Sequence, residues 1–329
     1  MSGLLISQRV EQLCGGEIER IERTTGTQLR RVKLPVDPAA RLTAEDLAGV
    51  EAAYFSVDVM GPQAGGFFSA LHRAAGLRWL HTFNTGVDHP AFQPFLERGV
   101  TITNYPIVAA VPIAQTAIAG LLMLARGFPH WLDAQRERRW APQDRTRAPA
   151  RLDEQTLVVV GLGAIGSEIA RLARALGLRT VGVRRSPATG QDPVDELHGP
   201  QALPELLPRA DWLAIACPLT ERTRALIDAA ALAALPAGAR VINVARGEIV
   251  DEPALIDALA RGHLGGAYLD VFASEPLDPA SPLWSLPNVI VTPHNAAASQ
   301  GLETRHHPGF LANLERWARK QPLENVAAR

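Results

Sequence analysis

Short apolar runs rich in β-branched residues alternate with amphipathic stretches along the chain. In the first hundred residues, the runs that predict strands lie at 4–6, 28–34, 52–55, 79–83 and 100–103. A second series predicts strands at 157–160, 180–183, 212–216, 240–244, 267–271 and 289–291. Strands that alternate with helices form parallel sheets with helices on both faces. The pattern predicts an α/β fold with two such sheets, and the second has the strand count of two mononucleotide-binding halves.

The segment between the two series breaks the pattern at Pro106 and Pro112 and continues as an apolar helix over 113–126. A helix that is apolar on all sides is expected to pack against another domain or subunit. The stretch 136–151 is rich in Arg and Pro but lacks an aromatic platform, which favours a solvated connection over a nucleic-acid site. The helical pattern after residue 298 has no place in the second sheet, so we expect it to return to the first domain.

Composition narrows the function classes. A chain of 329 residues fits two domains, and its net charge of -1 gives no overall attraction to nucleic acid or to an anionic membrane. Cys14 and Cys217 have no CxxC spacing, and the adjacent His306 and His307 lack the spacing of metal ligands, so we expect no disulfide framework and no metal. The first residues lack the pattern of a secretory signal peptide. We expect no uncharged apolar run whose length approaches the roughly 20 residues that span a bilayer. These features predict a cytoplasmic protein with a small soluble substrate.

The strongest local motif is LVVVGLGAIG, which places Gly161, Gly163 and Gly166 directly after an apolar strand and at the start of a helix. That helix is expected to run to Leu176 and to stop at Gly177. The first glycine allows a tight turn, the second lets the backbone approach a pyrophosphate, and the third lets helix and strand pack closely. In this context the motif predicts dinucleotide binding rather than a purely structural turn.

The strand after this helix ends in VGVRRSP, where NAD-binding domains usually carry an acidic residue for the ribose hydroxyls. Arg184 and Arg185, with Ser186 beside them, offer donors to the 2'-phosphate of NADP. We therefore predict that the protein binds NADP or NAD and prefers NADP. The alternative is that both arginines are solvated surface residues.

Three residues of complementary chemistry follow the last three predicted strands: Arg246, Glu275 and His294. The carboxyl ends of strands in an open parallel sheet line the ligand crevice. Reduction of a 2-keto acid needs a cation for the carboxylate and ketone, a hydride, and a proton donor. Arg246 fits the first role and His294 the last, with Glu275 favouring the imidazolium, because arginine matches a carboxylate and imidazole titrates near neutral pH. Taken singly, each could be an ordinary surface or turn residue.

The runs GLGAIG, CPLTERTRALID, INVARGEIVDEPAL, GGAYLDVFASEPL and LPNVIVTPHNA resemble, in order and spacing, the D-isomer-specific 2-hydroxyacid dehydrogenases, including glyoxylate/hydroxypyruvate reductases. The resemblance is clear over about 77–325. It implies a Rossmann-type doubly wound coenzyme domain, residues 104–296, inserted into a flavodoxin-like substrate domain made of 1–103 and 297–329. It also implies an NAD(P)-dependent oxidoreductase that forms a homodimer.

The resemblance extends to single positions. It implies that Arg246 binds substrate, that Glu275 tunes the histidine, and that His294 is catalytic. It implies cofactor contacts at Ala164, Ile165, Cys217, Pro218, Thr223, Val244, Ala245 and Asp270, with Asp270 orienting the nicotinamide carboxamide. Substrate contacts are implied at Ser56, Thr85, Gly86 and Val87, the last three through backbone N–H groups. Gly86 could instead serve only a turn.

Two departures from the family pattern concern the helix after the first domain. Gln115 stands where many members have Glu, and no glycine follows Pro106. They bear on substrate subclass and subunit packing.

The sequence leaves alternatives. An NAD(H)-sensing corepressor of the C-terminal-binding-protein type has the same fold and motifs, so a binding protein is the alternative function. The lack of recognisable extra interaction segments favours the enzyme. A formate dehydrogenase-like enzyme would have glutamine in place of Glu275 and a longer N-terminal region. Glyoxylate, hydroxypyruvate and larger 2-keto acids are all left as substrates.

Overall fold

The computed structural model describes residues 2–142, 149–188 and 190–328. Its strands are β1 (Ser2–Ile6), β2 (Leu29–Lys33), β3 (Val50–Phe55), β4 (Trp79–Thr82), β5 (Thr101–Asn104), β6 (Thr156–Val160), β7 (Arg179–Val183), β8 (Glu196–His198), β9 (Trp212–Ile215), β10 (Arg240–Asn243), β11 (Gly266–Leu269), β12 (Val289–Val291) and β13 (Val326–Ala328). Its α-helices are α1 (Gln8–Thr25), α2 (Ala44–Leu47), α3 (Ala64–Arg73), α4 (Gln93–Glu97), α5 (Ile107–Arg126), α6 (Phe128–Arg136), α7 (Ala164–Ala175), α8 (Leu203–Leu206), α9 (Ala229–Ala234), α10 (Glu252–Ala260), α11 (Leu302–Arg305) and α12 (His307–Ala318).

The chain forms two compact units. The first unit comprises Met1–Val108 and Ser299–Arg329, and the second comprises Ala109–Ala298. The first unit is thus made of two separate stretches of chain and the second of one.

The first unit contains a sheet with the order β13-β5-β4-β3-β1-β2. Strands β1 to β5 pair in parallel, and β13 adds to β5 in the antiparallel direction. The order 2-1-3-4-5 is that of flavodoxin-like folds, which confirms the predicted class. Helix α12 packs against α1, so the C-terminal segment returns to this unit as expected.

The second unit contains a fully parallel sheet with the order β12-β11-β10-β9-β6-β7-β8. The strand order reverses between β6 and β9, which is the Rossmann arrangement. Successive residues of β6 face opposite cores: Val158 and Val160 pack in one cluster, Leu157 and Val159 in the other. All six predicted strands are present. The short edge strand β8 was not predicted because its sequence, Glu-Leu-His, has a single apolar residue and no β-branched residue.

Helix α5 differs from two expectations. It begins at Ile107, six residues before the predicted start, and carries Pro112 inside the helix. The expectation that no apolar run approaches 20 residues was wrong, because this helix is long and apolar enough to cross a membrane by length and composition. Half of its most apolar window is buried within the protein, as in the core helix of a globular domain. The solvated connection expected over 136–151 lies partly outside the described residues, since 143–148 are among those not described.

Candidate active site

The glycine motif forms the turn between β6 and α7. Gly161 has a φ of +98°, and a Cβ there would lie 2.6 Å from the backbone of Cys217, so a side chain is excluded on two grounds. A Cβ on Gly166 would lie 1.8 Å from the carbonyl oxygen of Gly161. The roles predicted for the first and third glycines therefore match the local geometry.

The N-terminus of α7 is left open toward the carboxyl edge of the sheet. Gly163 is the N-cap, no side chain caps the helix, and its first turn has no acidic residue. A Cβ on Gly163 would meet nothing within 4 Å. The first-turn N–H groups, those of Ala164, Ile165 and Gly166, have no partner within an α-helix. This turn fits a pyrophosphate, which needs close backbone approach and the positive end of a helix.

The two arginines after β7 have different surroundings. Arg184 forms an ion pair with Asp192, with Nη1 and Oδ1 2.6 Å apart, and is largely buried. Its Nε and Nη2 donate to the carbonyl oxygens of Ser186 and Pro187, at 3.1 and 2.5 Å. Arg185 and the Ser186 side chain are exposed. Arg184 thus braces the loop, whereas Arg185 presents its guanidinium to solvent.

The residues expected near the cofactor on β9 and β10 follow the ends of those strands. Burial raises the pKa of the Cys217 thiol to about 11, so the thiol is protonated at neutral pH. Thr223 donates its hydroxyl to the carbonyl oxygen of Pro218 at 2.7 Å and thereby closes the turn after Cys217. Val244 and Ala245 are buried beside the end of β10.

Arg246 follows β10 on a backbone that is held in place. The Asn243 side-chain amide donates to the Arg246 carbonyl oxygen at 2.9 Å. Arg246 Nη1 donates to the carbonyl oxygen of Ala245 at 2.7 Å. A Cβ on the next residue, Gly247, would lie 1.8 Å from the carbonyl carbon of Phe272, so only glycine lets the two chains approach this closely.

Glu275 and His294 are brought into direct contact. His294 Nδ1 lies 2.7 Å from Glu275 Oε2, and the side chains are 47% and 35% exposed. The other carboxylate oxygen, Oε1, accepts a hydrogen bond from the backbone N–H of Phe272 at 3.0 Å. Glu275 follows β11 and His294 follows β12, while Arg246 follows the neighbouring strand β10. All three predicted residues therefore lie at the carboxyl edge of adjacent strands.

The loop that carries His294 is held by a hydrogen-bond network around the buried Asp270 carboxylate. This network includes two residues that the sequence analysis did not predict, Tyr268 and Thr292. The Asp270 carboxylate accepts hydrogen bonds from Thr292 Oγ1 at 2.6 Å and from the N–H groups of Asn295 and Ala296 at 2.9 and 3.1 Å. The Tyr268 hydroxyl lies 2.7 Å from Thr292 Oγ1. Asp270, expected to orient the nicotinamide, thus also organises the histidine loop. The threonine of VTPHNA directly after β12 was the available sequence signal.

The predicted substrate residues lie in the first unit, after β3 and β4. Ser56 is buried, and its hydroxyl donates to Asp58 Oδ1 at 2.6 Å. The loop with Thr85, Gly86 and Val87 is tied to β5, because the Asn104 side-chain amide donates to the Thr85 carbonyl oxygen at 2.7 Å. Among the described residues, no cluster of three or more His, Cys, Asp or Glu side chains could hold a metal ion.

The family model for the D-isomer specific 2-hydroxyacid dehydrogenase, NAD binding domain, matches residues 118–296. This chain belongs to that family. It is therefore an oxidoreductase with a nicotinamide dinucleotide as its cofactor, as the sequence analysis predicted.

Solved structures and curated proteins agree at the family level. A D-isomer specific 2-hydroxyacid dehydrogenase from Xanthobacter autotrophicus Py2, crystallised with NADPH and MES, is 30% identical, with a TM-score of 0.74 over 98% of this chain and 96% of the other. The NADPH-dependent glyoxylate/hydroxypyruvate reductase from Sinorhizobium meliloti is 25% identical, with a TM-score of 0.75 over 99% and 98%. A glyoxylate reductase from Korarchaeum cryptofilum is 33% identical over 77% of this chain and 76% of that protein.

Other relatives are named for a different substrate. The D-3-phosphoglycerate dehydrogenase of Methanocaldococcus jannaschii is 30% identical over 78% of this chain, which spans 48% of the length of that protein. The relatives of this chain are thus named for more than one substrate.

Proposed function

We propose that this chain reduces a small 2-keto acid of the glyoxylate or hydroxypyruvate kind to a D-2-hydroxy acid, with NADPH as the preferred reductant. The observation that carries this proposal is the contact of 2.7 Å between His294 and Glu275 at the carboxyl edge of the Rossmann-type sheet. The relatives named glyoxylate reductase and glyoxylate/hydroxypyruvate reductase support the choice of a small keto acid.

In the proposed mechanism, His294 is the proton donor to the ketone oxygen. Its Nδ1 is taken by Glu275, which leaves Nε2 as the nitrogen that exchanges a proton with substrate. The carboxylate of Glu275 is itself oriented by the Phe272 N–H, so the imidazole is held in one direction. In the oxidative direction, neutral His294 takes the proton of the substrate hydroxyl.

Arg246 is proposed to bind the substrate carboxylate and to polarise the ketone. Its backbone is fixed by Asn243 and by the close packing of Gly247, which limits where the guanidinium can reach. The nicotinamide, when bound, supplies the hydride. The backbone N–H groups of Thr85, Gly86 and Val87 are proposed to receive the substrate carboxylate, and Ser56 to line the pocket.

The preference for NADP is proposed from the residues that follow β7. A carboxylate at this strand end would repel a 2'-phosphate, and Val183 is instead followed by two arginines. Because Arg184 is engaged with Asp192 and with loop carbonyls, Arg185 is the main candidate to contact the phosphate directly. Arg184 then contributes by shaping the loop around Ser186.

We propose that the second unit is the coenzyme domain and the first the substrate domain, and that the protein is a cytoplasmic homodimer. The two free cysteines, Cys14 and Cys217, support a reducing compartment. Exposed Ile107 and Val111, one turn apart on α5, support a subunit interface on that helix.

The proposed function is tested by initial rates with NADPH and NADH on glyoxylate, hydroxypyruvate, pyruvate and phenylpyruvate. We expect one of the smaller keto acids to turn over fastest, more rapidly with NADPH, and to yield the D-enantiomer where the product is chiral. Fastest turnover of phenylpyruvate, or none of the four despite cofactor binding, would contradict the proposed substrate class.

A further inference from the structure

The backbone of His294 is held in an unusual conformation. Its φ is +50°, in the left-handed region, where residues other than glycine are uncommon. A conformation of this kind is strained and persists only where the surrounding structure enforces it. The His294 N–H donates to the Asp270 carbonyl oxygen at 2.8 Å. The side chain itself is half exposed and is held by Glu275.

The enforcement comes from both sides of the histidine. On the C-terminal side, the Asp270 carboxylate accepts hydrogen bonds from the N–H groups of Asn295 and Ala296. On the N-terminal side, it accepts the hydroxyl hydrogen of Thr292 at 2.6 Å. One buried carboxylate thus ties together the residues on either side of His294.

The direction of the hydrogen bonds follows from the chemistry of the groups. A carboxylate accepts only, so the single hydroxyl hydrogen of Thr292 goes to Asp270. The Tyr268 hydroxyl, 2.7 Å from Thr292 Oγ1, is then the donor to threonine. The result is a chain of hydrogen bonds from Tyr268 through Thr292 to Asp270, in which each bond polarises the next.

The first member of this chain is anchored in the core. Tyr268 is only 2% exposed, and its ring lies so close to α5 that a Cβ on Gly120 would be 2.4 Å from its Cγ. Burial raises the pKa of its hydroxyl to about 12, so the group is a hydrogen donor throughout the neutral range. Tyr268 pairs with Ile290 across β11 and β12, and this register brings its hydroxyl to Thr292, two residues further along.

We propose that Tyr268 and Thr292 are positioning residues for the reaction, which fix the Asp270 carboxylate and thereby hold His294 in the left-handed conformation that directs its imidazole to Glu275. This inference rests on the proposed role of His294 as the proton donor. Neither residue needs to touch substrate or cofactor, since each acts through the histidine loop.

The test compares Thr292→Val, Thr292→Ser and Tyr268→Phe with wild type. Valine keeps the shape of threonine but loses the hydroxyl, and serine restores it. We expect Thr292→Val to lower kcat by about 10- to 100-fold, because it loses a hydrogen bond to a charged group. We expect Tyr268→Phe to lower kcat by about 3- to 10-fold, because it loses a hydrogen bond to a neutral group. In both variants the KM for the keto acid and the Kd for NADPH should stay within about 2-fold of the wild-type values. The kcat of Thr292→Ser should stay within about 3-fold of that of wild type.

A matched control separates positioning from stability. Thr180 is a buried threonine of the same unit, and its hydroxyl donates to the Asp195 carboxylate at 3.0 Å. It lies at the opposite end of β7 from Arg184 and Arg185. Thr180→Val removes an equivalent bond and should leave kcat per NADPH-binding site unchanged. Equal kcat losses in Thr180→Val and Thr292→Val would show a general structural effect and overturn the proposal.

A second measurement does not depend on turnover. In protein labelled with [15N]histidine, the ring resonances of His294, assigned by their loss in His294→Gln, report its contact with Glu275. We expect them to move in Thr292→Val and to return in Thr292→Ser. Unchanged resonances in Thr292→Val would overturn the positioning role. A wild-type enzyme without turnover on any keto acid would instead contradict the proposed function, and the spectra would still decide this inference.

Discussion

Three buried histidines in the first unit make its stability depend on pH. His81 lies in β4 with its pKa lowered to about 3, and His306 has its pKa lowered to about 4, in each case mainly by burial and then by a neighbouring histidine. Burial also lowers the pKa of His307, which contacts the Tyr54 hydroxyl through Nδ1 at 3.3 Å. One ring nitrogen of each histidine is buried without a hydrogen-bond partner among the described residues.

The sign of the effect follows from proton linkage. Histidine in an unfolded chain binds a proton below about pH 6.5, whereas the folded protein keeps His81 and His306 neutral until pH 4 or lower. The unfolded state therefore binds more protons in this interval, and the free energy of unfolding falls as the pH falls. At pH 5.0, which lies about 1.5 units below the pKa of an unfolded histidine, keeping each residue neutral costs about 2 kcal/mol. The two together should cost the first unit about 4 kcal/mol, with a further loss from His307.

The assay is urea unfolding at pH 7.5, 6.5, 5.5 and 5.0. Unfolding of the first unit is monitored by the hydrogen exchange of peptides from β3 and β4. Unfolded carboxyl groups, with pKa values of about 3.9 to 4.3, take up few protons over this range, so the histidines dominate the change. His306→Gln should remove about 2 kcal/mol of the loss. His130→Gln, a change of an exposed histidine, serves as the matched control. Equal stability at pH 7.5 and 5.0, or an undiminished loss in His306→Gln, would refute the reasoning.

Two further predictions concern the second unit. Arg246→Lys should raise the KM for the keto acid and lower kcat/KM, because an ammonium group cannot form the bidentate contact of a guanidinium. Steady-state kinetics measures both values, and wild-type values in the variant would contradict the role of the guanidinium. Arg185→Gln should raise the KM for NADPH by about 10- to 100-fold, from loss of a charge-assisted hydrogen bond, and leave that for NADH within about 2-fold. The exposed Arg261→Gln is the control, and a parallel rise for both cofactors would remove Arg185 from phosphate recognition.

The strands that could be predicted from the sequence are those with a buried apolar pattern, such as Thr156–Val160 and Trp212–Ile215. The edge strands Glu196–His198 and Val326–Ala328 could not, because they lack the run of β-branched residues that marks the equally short edge strand Val289–Val291. Pro112 also misled the prediction, since α5 continues through it. Proline disfavours a helix interior locally, and packing of the apolar helix outweighs that preference.

At the candidate site, the residues that could be predicted from the sequence are those that directly follow the carboxyl end of a predicted strand. Arg246, Glu275 and His294 follow from the rule that ligands meet the carboxyl edge of a parallel sheet. The Tyr268 and Thr292 contact depends on the register of β11 against β12, and the Arg184 pair with Asp192 depends on the path of a loop. Neither register nor loop path is readable from one sequence, so these partners emerged only from the structure.

The central claim, that His294 transfers the proton in reduction of a 2-keto acid, is tested most directly by His294→Ala. Turnover of the best keto acid and the Kd for NADPH should be measured on the same preparation. The account predicts that kcat falls by at least about 100-fold, because general acid–base catalysis contributes about 10²–10⁴-fold, while the Kd for NADPH stays within about 2-fold. Unchanged turnover in His294→Ala, with cofactor binding intact, would contradict the account.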